Sequence, residues 1–112
     1  MAISQAICSS FKRELLEGKH NFTASSGNTF KLAMFTSSAS LGAATTAYAS
    51  SGINETTGTN YTAGGGTLSP VTPSLVGTTG ITDFADLTFS NATVTANGAM
   101  IYNDTSSDRA VC

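Results

Sequence analysis

The side chains able to do chemistry in this chain are few: seven carboxylates, one histidine and two cysteines. Acid–base work needs two titratable groups close enough to share or relay a proton. Among Glu14, Glu17, Glu55, Asp83, Asp86, Asp104 and Asp108, the pair Asp83 and Asp86 stands closest together on a segment patterned as a strand. Three positions apart on a strand, they face opposite sides of the sheet and do not flank a common bond. His20 is the only imidazole, and no strand-to-helix elbow presents a serine to it, so a nucleophilic triad is not expected. A histidine without fixed partners is expected at the surface or at a helix end. Asn103, Asp104, Ser107 and Asp108 gather oxygen atoms, but their spacing misses the order of an EF-hand and lacks its glycine and closing glutamate, which leaves an Asx turn.

Cys8 and Cys112 stand near opposite ends of the chain, with no further thiol or histidine at metal-ligand spacing, so zinc is not expected. A disulfide between them would close almost the whole chain. The start, MAISQAICSS, lacks a basic region followed by an apolar one, so synthesis in the cytosol without a cleaved export signal is expected, and reduced thiols with it. Gly64, Gly65 and Gly66 form the one glycine run. Such runs cradle phosphates when a GK[ST] and a helix follow; neither follows here, so a bend or bulge is the reading. These residues predict no enzyme activity, no cofactor and no metal.

The elements that must position these groups read as a sheet. Phe30–Phe35, FKLAMF, alternates Phe30, Leu32 and Met34 with Lys31, Ala33 and Phe35, the period of a half-buried strand. Ile3, Ile7, Phe11 and Leu15 recur every four positions and predict one amphipathic helix over residues 3–17. Ser4 would cap it, Gly18 close it, and Gln5, Ser9, Lys12 and Glu14 form its wet face. Downstream, Thr67, Leu68 and Ser69 begin a strand that Pro70 confines to an edge or an end, and Pro70, Pro73 and Gly77 punctuate a turn region. Residues 84–89, 92–96 and 98–102 read as short strands, with Asn97 and Gly98 as a two-residue hairpin joining 92–96 to 99–103. Arg109, Ala110, Val111 and Cys112 begin a last strand that either pairs at an edge or is continued in a longer polypeptide. The fold class is mainly β, a β-sandwich or barrel-like antiparallel sheet with one N-terminal amphipathic α-helix.

Composition bounds the rest. A chain of 112 residues is the size of one domain. Charged residues make up 11% against roughly 25% in ordinary soluble chains, and Lys12, Arg13, Lys19, Lys31 and Arg109 form no block. Nucleic acid is therefore not an expected partner. No apolar run approaches the roughly 20 residues of a membrane helix, so no membrane partner is expected either. The segment 36–60 holds Leu41, Tyr48 and Ile53 as isolated apolar points among small polar residues, with Tyr61 at its end. Loops this long are functional or mobile. These four residues are the interface candidates: either they contact a neighbouring molecule or they fold back and close the core.

With those segments in place, the chain resembles a family of small structural proteins from tailed bacteriophages. The likeness rests on AICSSFKRELLEGKHNF, GNTFKLAMFTSSASLGAATTAY, NYTAGGGTL and ITDFADLTFSNATVTANGAMIYN followed by RAV, and covers nearly the whole chain. Members of that family run on past RAV with a further strand pair, so the resemblance implies that the C-terminal strand is incomplete here. It also implies a non-enzymatic virion component made in the host cytoplasm. First comes a capsid decoration or cement protein, a homo-oligomer with a trimer favoured, contacting the major capsid protein or other virion proteins. The second reading is a tail, spike or fibre component whose 36–60 loop meets a partner or the host surface. A glycan-binding module is a third class, but the absence of Trp removes the aromatic platform such modules use.

Overall fold

In chain order the elements are α1 (Ser9–Leu16), β1 (Phe30–Phe35), β2 (Gly58–Thr59), β3 (Gly66–Leu68), β4 (Pro70–Val76), β5 (Thr79–Phe84), β6 (Thr93–Val94), β7 (Gly98–Asn103) and β8 (Arg109–Ala110). They are those of a computed structural model that describes residues 3–49 and 54–112. The protein is mainly β: a four-stranded sheet in the order β3-β1-β7-β8 and two two-stranded sheets, β2-β6 and β4-β5, all antiparallel.

The β1–β7 register explains where the core sits. Lys31, Ala33 and Phe35 pair with Tyr102, Met100 and Gly98, while Phe30, Leu32 and Met34 pair with Asn103, Ile101 and Ala99. Strand alternation puts the first set on one face and the second on the other. Phe30, Ala33, Phe35, Met100 and Tyr102 are all buried, so both faces are covered and β1 is not the half-buried strand its alternation predicts. On one face Phe22 stacks on Phe30 with centroids 4.4 Å apart, and Phe84 lies 5.6 Å from Phe30. On the other, Tyr48 stacks on Tyr102 at 4.5 Å.

The helix is shorter than its apolar stripe. Residues 3–8 are not helical: Ile3 bridges Leu41, the Ser4 N–H donates to the Leu41 carbonyl at 2.8 Å, and the Cys8 N–H donates to the Val111 carbonyl at 3.0 Å. These tertiary hydrogen bonds satisfy the backbone of a segment whose β-branched Ile3 and Ile7 are weak helix formers. Cys8, not Ser4, is the N-cap, and it makes no side-chain capping bond. The C-terminus follows the sequence closely. Gly18 has φ +71, its N–H donates to the Leu15 carbonyl at 3.2 Å, and the Lys19 N–H donates to the Glu14 carbonyl at 3.0 Å. That pair of bonds is a Schellman motif, and it reverses the chain.

The sheet departs from the sequence expectation in three places: the hairpin at Asn97–Gly98, the strand at 84–89 and the turn region at 70–77. β6 pairs with β2, and β7 pairs with β1. Asn97 therefore joins no hairpin; its N–H donates to the Phe35 carbonyl at 2.7 Å and opens the β1–β7 ladder. Residues 85–89 form no strand. Leu87 and Phe89 instead cover Gly66, where a Cβ would meet Leu87 at 3.0 Å and Phe89 at 3.2 Å. The turn region expected at 70–77 is β4 itself, and the tight turn is Gly77 and Thr78 before β5, with Gly77 at φ +60. β4 tolerates Pro70 and Pro73 because its outer edge pairs with nothing among the described residues. β8 is an edge strand of its sheet, and residues 46–48 run along it: the Ala110 N–H donates to the Thr46 carbonyl at 3.0 Å and the Tyr48 N–H to the Asp108 carbonyl at 2.8 Å.

Candidate functional site

α1 turns two residues inward, Phe11 and Glu14, one helical turn apart and so on one face. The wet-face assignment of Glu14 is thereby overturned. The Schellman turn brings His20 back beneath it, and His20 Nε2 donates to Glu14 Oε1 at 2.9 Å. Arg109 Nη1, from β8, donates to Glu14 Oε2 at 2.9 Å. Asn103, the last residue of β7, donates through Nδ2 to His20 Nδ1 at 3.0 Å and to Asn28 Oδ1 at 2.9 Å. Its Oδ1 accepts the Ser106 N–H at 3.1 Å. That last bond fixes the amide orientation, so the ring proton belongs on Nε2.

The side chains of His20 and Glu14 are 0% and 3% exposed, which also overturns the surface expectation for His20. Burial alone pushes the Glu14 carboxyl up, but the hydrogen bonds from His20 and Arg109 and the Arg109 charge outweigh it and hold the carboxyl below its usual range. Both ring nitrogens are engaged and closed off, so neither is left to take a proton from a substrate. The cluster is a fastener that ties α1, the 20–28 segment, β7 and β8 together.

A second polar centre gathers two of the interface candidates. Tyr48 Oη donates to Glu55 Oε1 at 2.7 Å; Tyr61 Oη donates to Glu55 Oε2 at 2.8 Å and accepts the Met34 N–H at 2.8 Å. The Gly64 N–H donates to the same Glu55 Oε2 at 2.8 Å, and Tyr102 Oη donates to the Gly64 carbonyl at 2.6 Å. Burial, then the Glu55 bond and charge, push the Tyr61 hydroxyl up to about 12 and the Tyr48 hydroxyl higher still, against the opposing Met34 bond at Tyr61. Both phenols stay protonated donors at neutral pH. The glycine run is engaged as structure: Gly64 is bonded on both sides, and Gly65, at φ +81, lies so close to β1 that a Cβ would overlap the Leu32 carbonyl.

Leu41 lines an apolar cleft of about 490 Å³ between the N-terminal segment and β7, together with Ile3, Met100, Ile101 and both cysteines. Tyr48 and Tyr61 are half-buried around Glu55, away from that lining. The fourth candidate, Ile53, lies outside the described residues. Among the described residues no Asp, Glu, Lys, Arg or His lines the cleft, and its two titratable side chains are the thiols of Cys8 and Cys112.

The β4–β5 ribbon carries four of the exposed large apolar side chains among the described residues. Every residue from 71 to 83 is exposed, including Val71, Leu75, Val76 and Ile81, and Asp83 is the only charge on it. The ribbon is anchored at its base, where Phe84 packs on Phe22 and Phe30, the Ala85 N–H donates to the Ser69 carbonyl at 2.8 Å, and the Ala24 N–H donates to Thr72 Oγ1 at 3.1 Å. The sequence carried a signal for it in a Gly77 and Thr78 turn between apolar residues, which the two prolines obscured. For the Glu14 cluster the local signal is ELLEGKH, an acid and a histidine flanking a helix-closing glycine; Asn103 and Arg109 carry none.

Comparison with known proteins gives no match: no family model, no curated protein and no solved structure is similar to this chain.

Proposed function

We propose that this protein is a non-enzymatic structural component of a tailed-phage virion, and within it a decoration or cement protein that stabilises the shell as a homo-oligomer, with a trimer favoured. The observation that carries the reading is the β4–β5 ribbon. Four apolar side chains held in water on a ribbon contribute nothing to the core of this chain, whereas a neighbour that covers them gains their burial. A second exposed apolar set, Ile7, Leu15 and Leu16, lies at α1, which gives a bridging protein two separate places to hold. The sequence resemblance and the thin, blockless charge point the same way. The tail reading placed adhesion on the 36–60 loop; Tyr48, turned inward onto Glu55, weakens that placement.

Copy number tests the proposal. Protein-gel densitometry of purified particles against the major capsid protein is expected to give a ratio near one to one, or one copy per threefold position, and depletion is expected to lower the resistance of the shell to heat and to low ionic strength. A few dozen copies or fewer would overturn the shell reading and move the protein to the tail.

A further inference from the structure

The cleft beside β7 is walled by both cysteines, which come from opposite ends of the sequence. The Cys8 N–H lies 3.0 Å from the Val111 carbonyl oxygen. Standard backbone dimensions then hold the Cα atoms of Cys8 and Cys112 to roughly 7 Å or less, against about 4.4–6.8 Å across disulfides. The C-terminal segment is fixed there, because the Ile101 N–H donates to the Cys112 carbonyl at 2.8 Å and the Val111 N–H to the Ile101 carbonyl at 2.8 Å. Both residues are free thiols; Cys112 is exposed, while Cys8 is buried with its Sγ 3.9 Å from the Gly42 carbonyl oxygen.

We infer that Cys8 and Cys112 form an intramolecular disulfide when the protein meets glutathione disulfide, stapling the N-terminal segment to the C-terminal strand at the wall of the cleft. The exposed Cys112 thiolate attacks glutathione disulfide, forms a mixed disulfide and releases one glutathione thiolate. The Cys8 thiolate then attacks the Cys112 sulfur, the Sγ–Sγ bond forms, and the second glutathione thiolate leaves. Two protein thiols lose two electrons and two protons, and one glutathione disulfide becomes two thiols. Burial pushes the Cys8 thiol up, and the charges of Cys112 and Glu14 push it further; Cys112, exposed as a residue, is raised by the partial desolvation of its thiol at the cleft wall, so the exchange accelerates as pH rises. The closed loop spans nearly the whole chain and constrains the unfolded state more than a short loop would. Only the timing rests on the virion reading: open in the reducing cytosol, closed after release.

The test uses the purified full chain, equilibrated with excess glutathione disulfide at about pH 8, near the thiol range, then alkylated and weighed. The expected product is two hydrogens lighter than the reduced chain, carries no alkyl group, yields a peptide linking Cys8 to Cys112, and has a thermal midpoint raised by several degrees. Cys112→Ser, an exposed change, is expected to fold and to show the same midpoint with and without oxidant. Two alkylated thiols after equilibration, a mixed disulfide that persists on Cys112, or only intermolecular dimers would overturn the inference. None of these outcomes requires a phage particle, so failure of the virion reading is detected separately, by copy number.

Discussion

Removing the charge of Glu14 leaves His20 and Arg109 without their common acceptor. In Glu14→Gln the amide keeps one oxygen and turns an NH₂ toward the other donor, inside a site with almost no water access. The expected loss is about 2–3 kcal/mol at neutral pH, read from urea unfolding midpoints. The pH dependence follows from the depressed carboxyl of Glu14. A group whose folded pKa lies below its unfolded value, about 4.3 for Glu, contributes stability that is complete above the unfolded value and is lost as pH falls through the folded one. The gap between wild type and Glu14→Gln should therefore narrow as pH drops below about 4.3. Asp108, pushed up by burial and by its bond with Asp104, acts with the opposite sign, but it is present in both proteins and cancels in the difference. A gap of unchanged size down to the acid limit would show that Glu14 is not ionised in the fold.

At the scale of elements, what the sequence disclosed divides by the range of the interaction. β1 lies over Phe30–Phe35, as its alternation predicts, and the helix closes at Gly18, because strand period and a left-handed glycine are local. The start of α1 and the partners of β6 and β7 depend on bonds to residues far along the chain, such as Ser4 to Leu41 and Asn97 to Phe35, which no window can show. The candidate site divides likewise: Glu14 and His20 share a short segment, whereas Asn103 and Arg109 reach them only through the sheet. The glycines offer a test of the same distinction. Gly77→Ala, at φ +60 with open space around it, should cost about 1 kcal/mol, the price of a left-handed alanine. Gly65→Ala carries that strain and also drives a methyl into the Leu32 carbonyl, so it should cost more than about 3 kcal/mol. Equal midpoints for the two variants in thermal unfolding would mean that the β1 contact yields without cost.

Across the whole molecule, stability is unevenly shared. β1 is paired on both sides and covered on both faces, so its inner amides open only when the domain unfolds, at a free energy of about 5–15 kcal/mol for ordinary domains. The β4–β5 ribbon is a two-stranded sheet with exposed side chains from 71 to 83, and two strands alone are marginal in water. Its amides should exchange by local opening, several orders of magnitude faster than those of β1 and β7 in the isolated protein. Hydrogen exchange followed by mass spectrometry reads both regions in one experiment. If a neighbour covers Val71, Leu75, Val76 and Ile81, as the shell reading requires, the same amides must slow sharply in intact particles while those of β1 change little. Ribbon amides that exchange equally fast in particle and free chain would leave those four side chains without a partner and remove the observation on which the shell reading stands.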